Sequence, residues 1–224
     1  MKVPAVVLAL GFLVPASAMA DSAVANLSNA DIAGAKAFAF AALPGECDGD
    51  QSEITDDDRS YTIDWSADGE EHHAILFQIN CSSHIRSTDN AYVVRDEDGV
   101  FSLVAFSVPT YDVEYEDGDD TFTKLKSPPR ITGFVSHFLL EDGTFEPDTL
   151  TLSDAAGFSA RRDSVDVGEW QFEGGEFVLS SYTVDPILEF NIRDPLDDDA
   201  DGSEGDLPED LFKTFQIFPE SAVK

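Results

Sequence analysis

Residues 60–66 read SYTIDWS and residues 73–81 read HAILFQINC, with the turn-rich ADGEE between them. Apolar and polar side chains alternate from residue 59 onward, the period of an extended chain with one face in a core. The pattern continues toward the C-terminus. AYVVRD (91–96) and VFSLVAFSV (100–108) flank Glu97-Asp98-Gly99, a composition that suits a tight hairpin turn. YDVEYE (111–116) alternates with Tyr111, Val113 and Tyr115 on one face. ITGFVSHFLL (131–140) leads through EDGTFEPD to a strand around residues 150–152. GEWQF (168–172) and FVLSSYTV (177–184) meet across Glu173-Gly174-Gly175, where Trp170, Phe172 and Phe177 anchor the hairpin to the core. ILEFNI (187–192) continues the sheet, and LFKTFQIF (211–218) packs back as a final strand or short helix. Roughly eight to ten strands, with a turn about every 8–12 residues, predict an antiparallel β-sandwich or a strongly curved sheet.

On the N-terminal side the period is helical. SNADIAGAKAFAFAAL (28–43) carries a capping Ser28 or Asn29, an acid (Asp31) in its first turn, and Pro44-Gly45 at its end. Its Ala, Phe and Leu content marks a packed helix, and Gly34 allows close approach to a sheet. The expected fold is mainly β, with this one N-terminal α-helix, in a single β-rich domain over 21–224.

The first twenty residues, MKVPAVVLALGFLVPASAMA, stand apart. Lys2 gives a positive n-region, residues 5–14 an apolar h-region, and Ala18-Met19-Ala20 a small-residue cleavage site, so residues 1–20 read as a signal peptide cut after Ala20. The apolar run is short of the roughly 20 residues a spanning helix needs, so no membrane span is expected after cleavage. The expected location is the periplasm or the extracellular space.

Forty-five acidic residues against 13 Lys and Arg give a formal net charge of −32. Such a field repels phosphate backbones and anionic bilayers, which excludes nucleic acid as a partner. Divalent cations and cationic molecules are the compatible partners, and the charge by itself keeps an exported protein soluble. The two cysteines, Cys47 and Cys81, read as one disulfide in an oxidising compartment. It closes a loop of about 35 residues and contributes roughly 3–4 kcal/mol in the chain-entropy picture. Cys81-Ser82-Ser83-His84 has a metal-like spacing, but no second pair of ligands accompanies it.

The sharpest chemical motif is Asp197-Asp198-Asp199-Ala200-Asp201-Gly202. Oxygen ligands at Asp197, Asp199 and Asp201 followed by Gly form the opening half of a calcium loop. Counting Asp197 as position 1, position 12, where an EF-hand places Glu, is Pro208, with Glu209 and Asp210 one and two places late. Within 194–210, DPLDDDADGSEGDLPED, the alternatives are a solvated acidic loop and a non-EF calcium site. No other cofactor is expected. His72 and His73 are neighbours on a strand, so their side chains point to opposite faces and cannot share an ion. His137 lies in an apolar strand as a satisfied or surface side chain. A nucleophile elbow is absent, since Gly157-Phe158-Ser159-Ala160 lacks the second Gly. The acids supply many carboxylate pairs and single out none, so no catalytic residue is assigned. Arg161-Arg162 either binds an anion or pairs with nearby acids such as Asp163 and Asp166.

From about residue 59 to 185 the order of features resembles the DUF1176 family of exported bacterial proteins, which has no assigned activity. The residues that carry the resemblance are Asn80-Cys81-Ser82-Ser83 after Phe77, the run from Val104 to Pro109 into the acidic Tyr111 segment, Phe145-Glu146-Pro147-Asp148-Thr149-Leu150-Thr151-Leu152, and Gly168-Glu169-Trp170-Gln171-Phe172. Arg162, Asp166 and Gly168 match the family's Arg-Gly-x-Gly-Asp-Cys-Gly, whereas Val167 stands in place of its Cys. The resemblance implies export and transfers no functional residue. The readings that follow are a non-enzymatic binding or structural module, an envelope hydrolase using paired carboxylates, or a calcium-dependent interaction protein using residues 197–202.

Overall fold

The structure, a computed structural model, describes residues 22–24, 28–67, 69–83, 88–119, 122, 124–157, 165–187 and 214–219. The chain enters through β1 (Ser22–Val24) and then forms α1 (Asn29–Ala42). Ser28 starts the helix by donating to the Asp31 carboxylate from Oγ at 2.8 Å and from its backbone N–H at 3.3 Å. At the other end the Leu43 N–H closes on Ala39 O at 2.9 Å, after which Pro44-Gly45 turns the chain away.

The first sheet follows as β2 (Arg59–Ala67), β3 (Glu70–Ser83), β4 (Thr88–Arg95) and β5 (Phe101–Leu103), antiparallel throughout and in the order β1-β2-β3-β4-β5. The chain then leaves the sheet for a two-stranded ribbon, β6 (Phe106–Asp112) with β7 (Arg130–His137). It returns as β8 (Leu139–Glu141), which pairs with β4 beside β5. The second sheet takes β9 (Thr144–Glu146), β10 (Thr151–Gly157), β11 (Val165–Glu173), β12 (Glu176–Val184) and β13 (Phe215–Phe218), in the order β13-β12-β11-β10-β9. The outer strands β1, β5, β8 and β9 are three residues long and β13 is four.

Strand β3 explains the layering. Its run Ala74-Ile75-Leu76-Phe77 is apolar on both faces, and each face meets a different layer. Leu76, opposite Tyr61 and Val94, joins Ile63 and Tyr92 on the face turned to the second sheet. Across that interface lie Phe145, Leu152, Trp170, Phe172, Phe177 and Leu179. Phe77, Ile79 and Cys81 turn the other way, with Ala91 and Val93, and are covered by Ala35, Ala39 and Leu43 of α1. The architecture is a helix on a sheet on a sheet, a β-sandwich with one face capped.

Trp170 is fully buried beside Phe106, ring centroids 5.2 Å apart, and its Nε1 donates to Ser107 O at 3.0 Å. Its indole lies back over Gly168, where an added Cβ would stand 2.3 Å from the ring. Glycine is the residue that fits there. The ribbon is fixed to the sandwich through these contacts, with Val108, Tyr111 and Ile131 packed against the same core.

Several expected strands divide or shorten. VFSLVAFSV becomes two elements: the β4–β5 ladder ends with Val104 N–H on Tyr92 O at 2.9 Å, and the chain then passes from the edge of β4 into the ribbon. ITGFVSHFLL likewise divides at Phe138 into β7 and β8. Neither run marks its division by a change in apolar content, and β7 is largely exposed, with Phe134 50 % and Val135 43 % open to solvent. The strand expected at 111–116 ends at Asp112, leaving Tyr115 in an isolated bridge to Leu125. The stretch across EDGTFEPD contains β9 as an extra strand. Ile187 lies outside any strand, and residues 188–192 fall outside the described ones, as do 1–21 and 194–210.

Candidate functional site

Three hairpin turns come together at one end of the sandwich. The β2–β3 turn brings Trp65 opposite His72, with the rings stacked at 5.3 Å. The β11–β12 turn, Gly174-Gly175 at φ +59° and +100°, sets Gly175 against the Trp65 indole. The β4–β5 turn reaches across to β3, where Glu97 Oε1 accepts the His73 N–H at 2.9 Å. His73 Nδ1 meets Asp64 Oδ1 at 2.5 Å, and this contact raises the imidazole above its ordinary range. Between the β4–β5–β6 path and the β11–β12 turn lies a half-open groove of about 430 Å³. Val94, Leu103, Val104 and Phe177 supply its apolar walls, Ala105 and Gly175 its small surfaces, and Ser102 and Glu176 its polar groups. The volume is in the range of small-molecule sites, and the lining is of mixed polarity, somewhat more polar than apolar.

A second cluster sits at the far end of β11. Asp166 is 5 % exposed, yet it carries a carboxylate against the core. Tyr111 Oη donates to Oδ2 at 2.9 Å and lies 3.2 Å from Oδ1. The Tyr182 hydroxyl and the Asp185 backbone N–H donate to the same carboxylate. Burial outweighs these donors and holds the acid up at about 6. Burial, reinforced by the Asp166 charge, pushes both tyrosines above their usual range, and burial also raises Asp185. Chemically, this arrangement is a tie rather than a reaction centre. The carboxylate's acceptor positions are directed at β6, β12 and the segment after it, and Tyr115 Oη adds a bond to Pro186 O at 2.7 Å.

The third polar group lies under the helix. Lys36 Nζ donates to Asp58 Oδ2 at 2.9 Å and to Glu53 O at 2.7 Å, with both side chains of the ion pair almost fully buried. Asp58 accepts three further hydrogen bonds, from Asn80 N at 2.9 Å, Thr55 N at 2.8 Å and Thr55 Oγ1 at 3.3 Å. Close by, Cys47 and Cys81 form a disulfide, and Gly49 N–H donates to Cys81 O at 2.7 Å. Helix, following loop and β3 are thus joined by a covalent bond and a saturated ion pair. A second, partly exposed pair, Arg95 Nη1 to Asp31 Oδ1 at 2.6 Å, fixes the helix start to β4, and these bonds hold the Asp31 carboxyl below its usual range.

Of the residues singled out in the sequence, the two cysteines are brought together. His72 and His73 face opposite sides as their spacing required, and His137 is exposed. Asp197, Asp199, Asp201, Arg161, Arg162 and His84 lie outside the described residues. Among the described residues no three His, Cys, Asp or Glu side chains converge as metal ligands, and no helix is long and apolar enough to cross a membrane. Sequence reasoning missed Lys36 and Asp58, and it named Asp166 only as a partner for Arg161-Arg162 and within the family resemblance, not as a buried acid. Two signals were there: Lys36 is the lone base in an apolar helix, and Asp166 shares the two-residue period of Gly168, Trp170 and Phe172 on the core face. Compared with known proteins, the chain matches no family model, no curated protein and no solved structure.

Proposed function

We propose that the protein is an exported, non-enzymatic binding module working in the periplasm or outside the cell, and that the groove at the turn end is its binding site. The groove carries the reading: Val94, Val104 and Phe177 stand in a lining of mixed polarity beside a carboxylate at Glu176, on a framework whose helix, loop and β3 are tied together independently of any ligand. The signal-like N-terminus and the disulfide support export, and the likeness to the exported DUF1176 family belongs to the same proposal. The Asp166 cluster speaks against the hydrolase alternative, since its carboxylate is buried and engaged by Tyr111, Tyr182 and Asp185.

Two measurements test the proposal. Intact mass of the protein recovered from an expressing bacterium should show a chain beginning at Asp21. Titration with the neutral dye Nile red should give saturable binding, weakened by Ala105→Phe at the groove wall. A chain retaining Met1 overturns the export part, and the absence of saturable dye binding overturns the binding part. The Asp197-Asp199-Asp201 spacing keeps a calcium-dependent reading beside it. Calorimetry with millimolar calcium should then give heat that Asp199→Ala removes, and no heat ends that reading.

A further inference from the structure

We infer that the outer part of the ribbon, residues 111–116 with 124–131, is a strap that closes on the end of β12 in acid and is released as Asp166 ionises. An anchor, a hinge and a latch follow one another along it. The inner part is anchored, since Trp170 Nε1 donates to Ser107 O at 3.0 Å and Phe106 is fully buried. The ladder then shifts register between Thr110 and Tyr111, a break in the pairing at which a ribbon bends. Beyond this hinge Tyr111 and Ile131 pack at the margin of the core, and two hydroxyls make the polar ties. Tyr111 Oη donates to Asp166 Oδ2 at 2.9 Å, and Tyr115 Oη donates to Pro186 O at 2.7 Å. The Asp185 N–H donates to the same Asp166 carboxylate, so strap and chain end meet on one acid.

That acid has donors and no cation. Facing it are Tyr111 from β6, Tyr182 from β12 and Asp185 from the segment beyond, while Tyr115 and Asp154 act on the two tyrosines. Its β10 neighbour is Ala156, Ile131 of β7 lies opposite Tyr111, and Arg130 lies opposite Asp112. Among the described residues no ion pair reaches Asp166. A buried carboxylate beside a second one holds its proton more tightly than a solvated one does. Burial keeps both tyrosines protonated, so between pH 4 and 8 the acids titrate. With Asp166 at about 6 when closed and 3.8 when released into water, the closed form is fully favoured below 3.8 and loses up to about a hundredfold of its advantage above about 6. Asp185, also raised by burial, adds in the same direction.

The test is amide hydrogen exchange by nuclear magnetic resonance, each rate taken relative to an unstructured chain at the same pH. Protection of the Asp185 amide should fall by up to about a hundredfold from pH 4 to pH 8. At pH 8 it should lie at least about tenfold below that of the Leu76 amide in β3, because the strap opens without the rest of the fold. Asp166→Asn should keep the acid-side protection at both pH values. Tyr115→Phe, which removes the strap's bond to Pro186, should lower Asp185 protection by about fivefold at both, the weight of one hydrogen bond. The carboxyl carbon signal that Asp166→Asn removes should titrate at about 6 in the parent. A carboxyl that titrates at the ordinary value overturns the latch, as does Asp185 protection that is constant with pH or falls equally in Asp166→Asn. Equal protection at Asp185 and Leu76 overturns the strap as unfolding of the whole molecule. Protection indifferent to Tyr115→Phe overturns it too, since the ribbon then takes no part in the opening.

Discussion

Substituting Asp166 by Asn should make the protein more stable at pH 8 and leave it close to the parent at pH 4. The magnitude follows from where the side chain sits. The Asp166 carboxyl is 5 % exposed and held at about 6, against 3.8 for an unperturbed Asp. Between those values the native state keeps a proton that the unfolded chain has released. Stability from this group is therefore complete below pH 3.8, declines as pH rises, and is gone above about 6. About two pKa units correspond to roughly 3 kcal/mol. Tyr111 from β6, Tyr182 from β12 and the Asp185 N–H oppose the penalty by donating to the charged form, and the Asp185 charge adds to it. Asn keeps an acceptor for these donors and carries no charge. The assay is urea unfolding of parent and variant at intervals from pH 4 to 8, followed by circular dichroism. The difference between the two curves is what matters, because an acidic protein loses stability toward high pH through general repulsion as well. A difference that stays flat across pH 4–8, or one in which Asn is the less stable at pH 8, refutes the assignment.

Three further outcomes follow from the other ties. Reducing the disulfide, or replacing Cys47 and Cys81 together by Ala, should cost about 4 kcal/mol of unfolding free energy for a separation of 34 residues, measured by urea denaturation with and without reductant. Lys36→Met should cost about 3–5 kcal/mol by leaving the Asp58 carboxylate buried without its cation, and a cycle with Asp58→Asn should show the two changes to be strongly non-additive. Gly168→Ala should cost at least about 1–3 kcal/mol and alter the near-ultraviolet circular dichroism of Trp170, because the new methyl group must displace the indole. A variant with unchanged spectrum and stability would show that the Trp170 site has slack.

How far the sequence carried the fold depends on which physical signal each element used. Strands β2, β11 and β12 announced themselves by alternation, β3 by its apolar run after a turn, and the Gly174-Gly175 turn by composition, because these depend on local geometry alone. The division of 100–108 and of 131–140 was hidden, since an apolar residue tells neither which layer buries it nor whether it is buried at all, and Val100, Phe134 and Val135 are exposed. The layer order was within reach in Ala74-Ile75-Leu76-Phe77, whose unbroken apolar character requires cover on both faces. The polar ties were less accessible. Lys36 in an apolar helix signals a buried cation, yet its partner lies 22 residues on among many equivalent acids, and only the tertiary structure picks Asp58. Asp166 had its clue in phase with Trp170, but its tyrosines arrive from β6 and β12, far away in sequence. The groove lies between the β4–β5–β6 path and the β11–β12 turn, which no single stretch encodes.

The brevity of the outer strands has a consequence for behaviour at high concentration. A sheet edge with free backbone donors and acceptors is a template on which another chain can add a strand, and long flat edges seed aggregates. Here β1 covers only Tyr61–Ile63 of the nine-residue β2 and β9 only Thr151–Ser153 of the seven-residue β10, and the ribbon β6–β7 has no third strand among the described residues. Short outer strands therefore shield these edges in part, and a formal charge of −32 makes each molecule repel its copies. Against strand addition along such edges the acidic surface does what the borders leave undone, so raised salt, which screens that charge, is the condition that favours association.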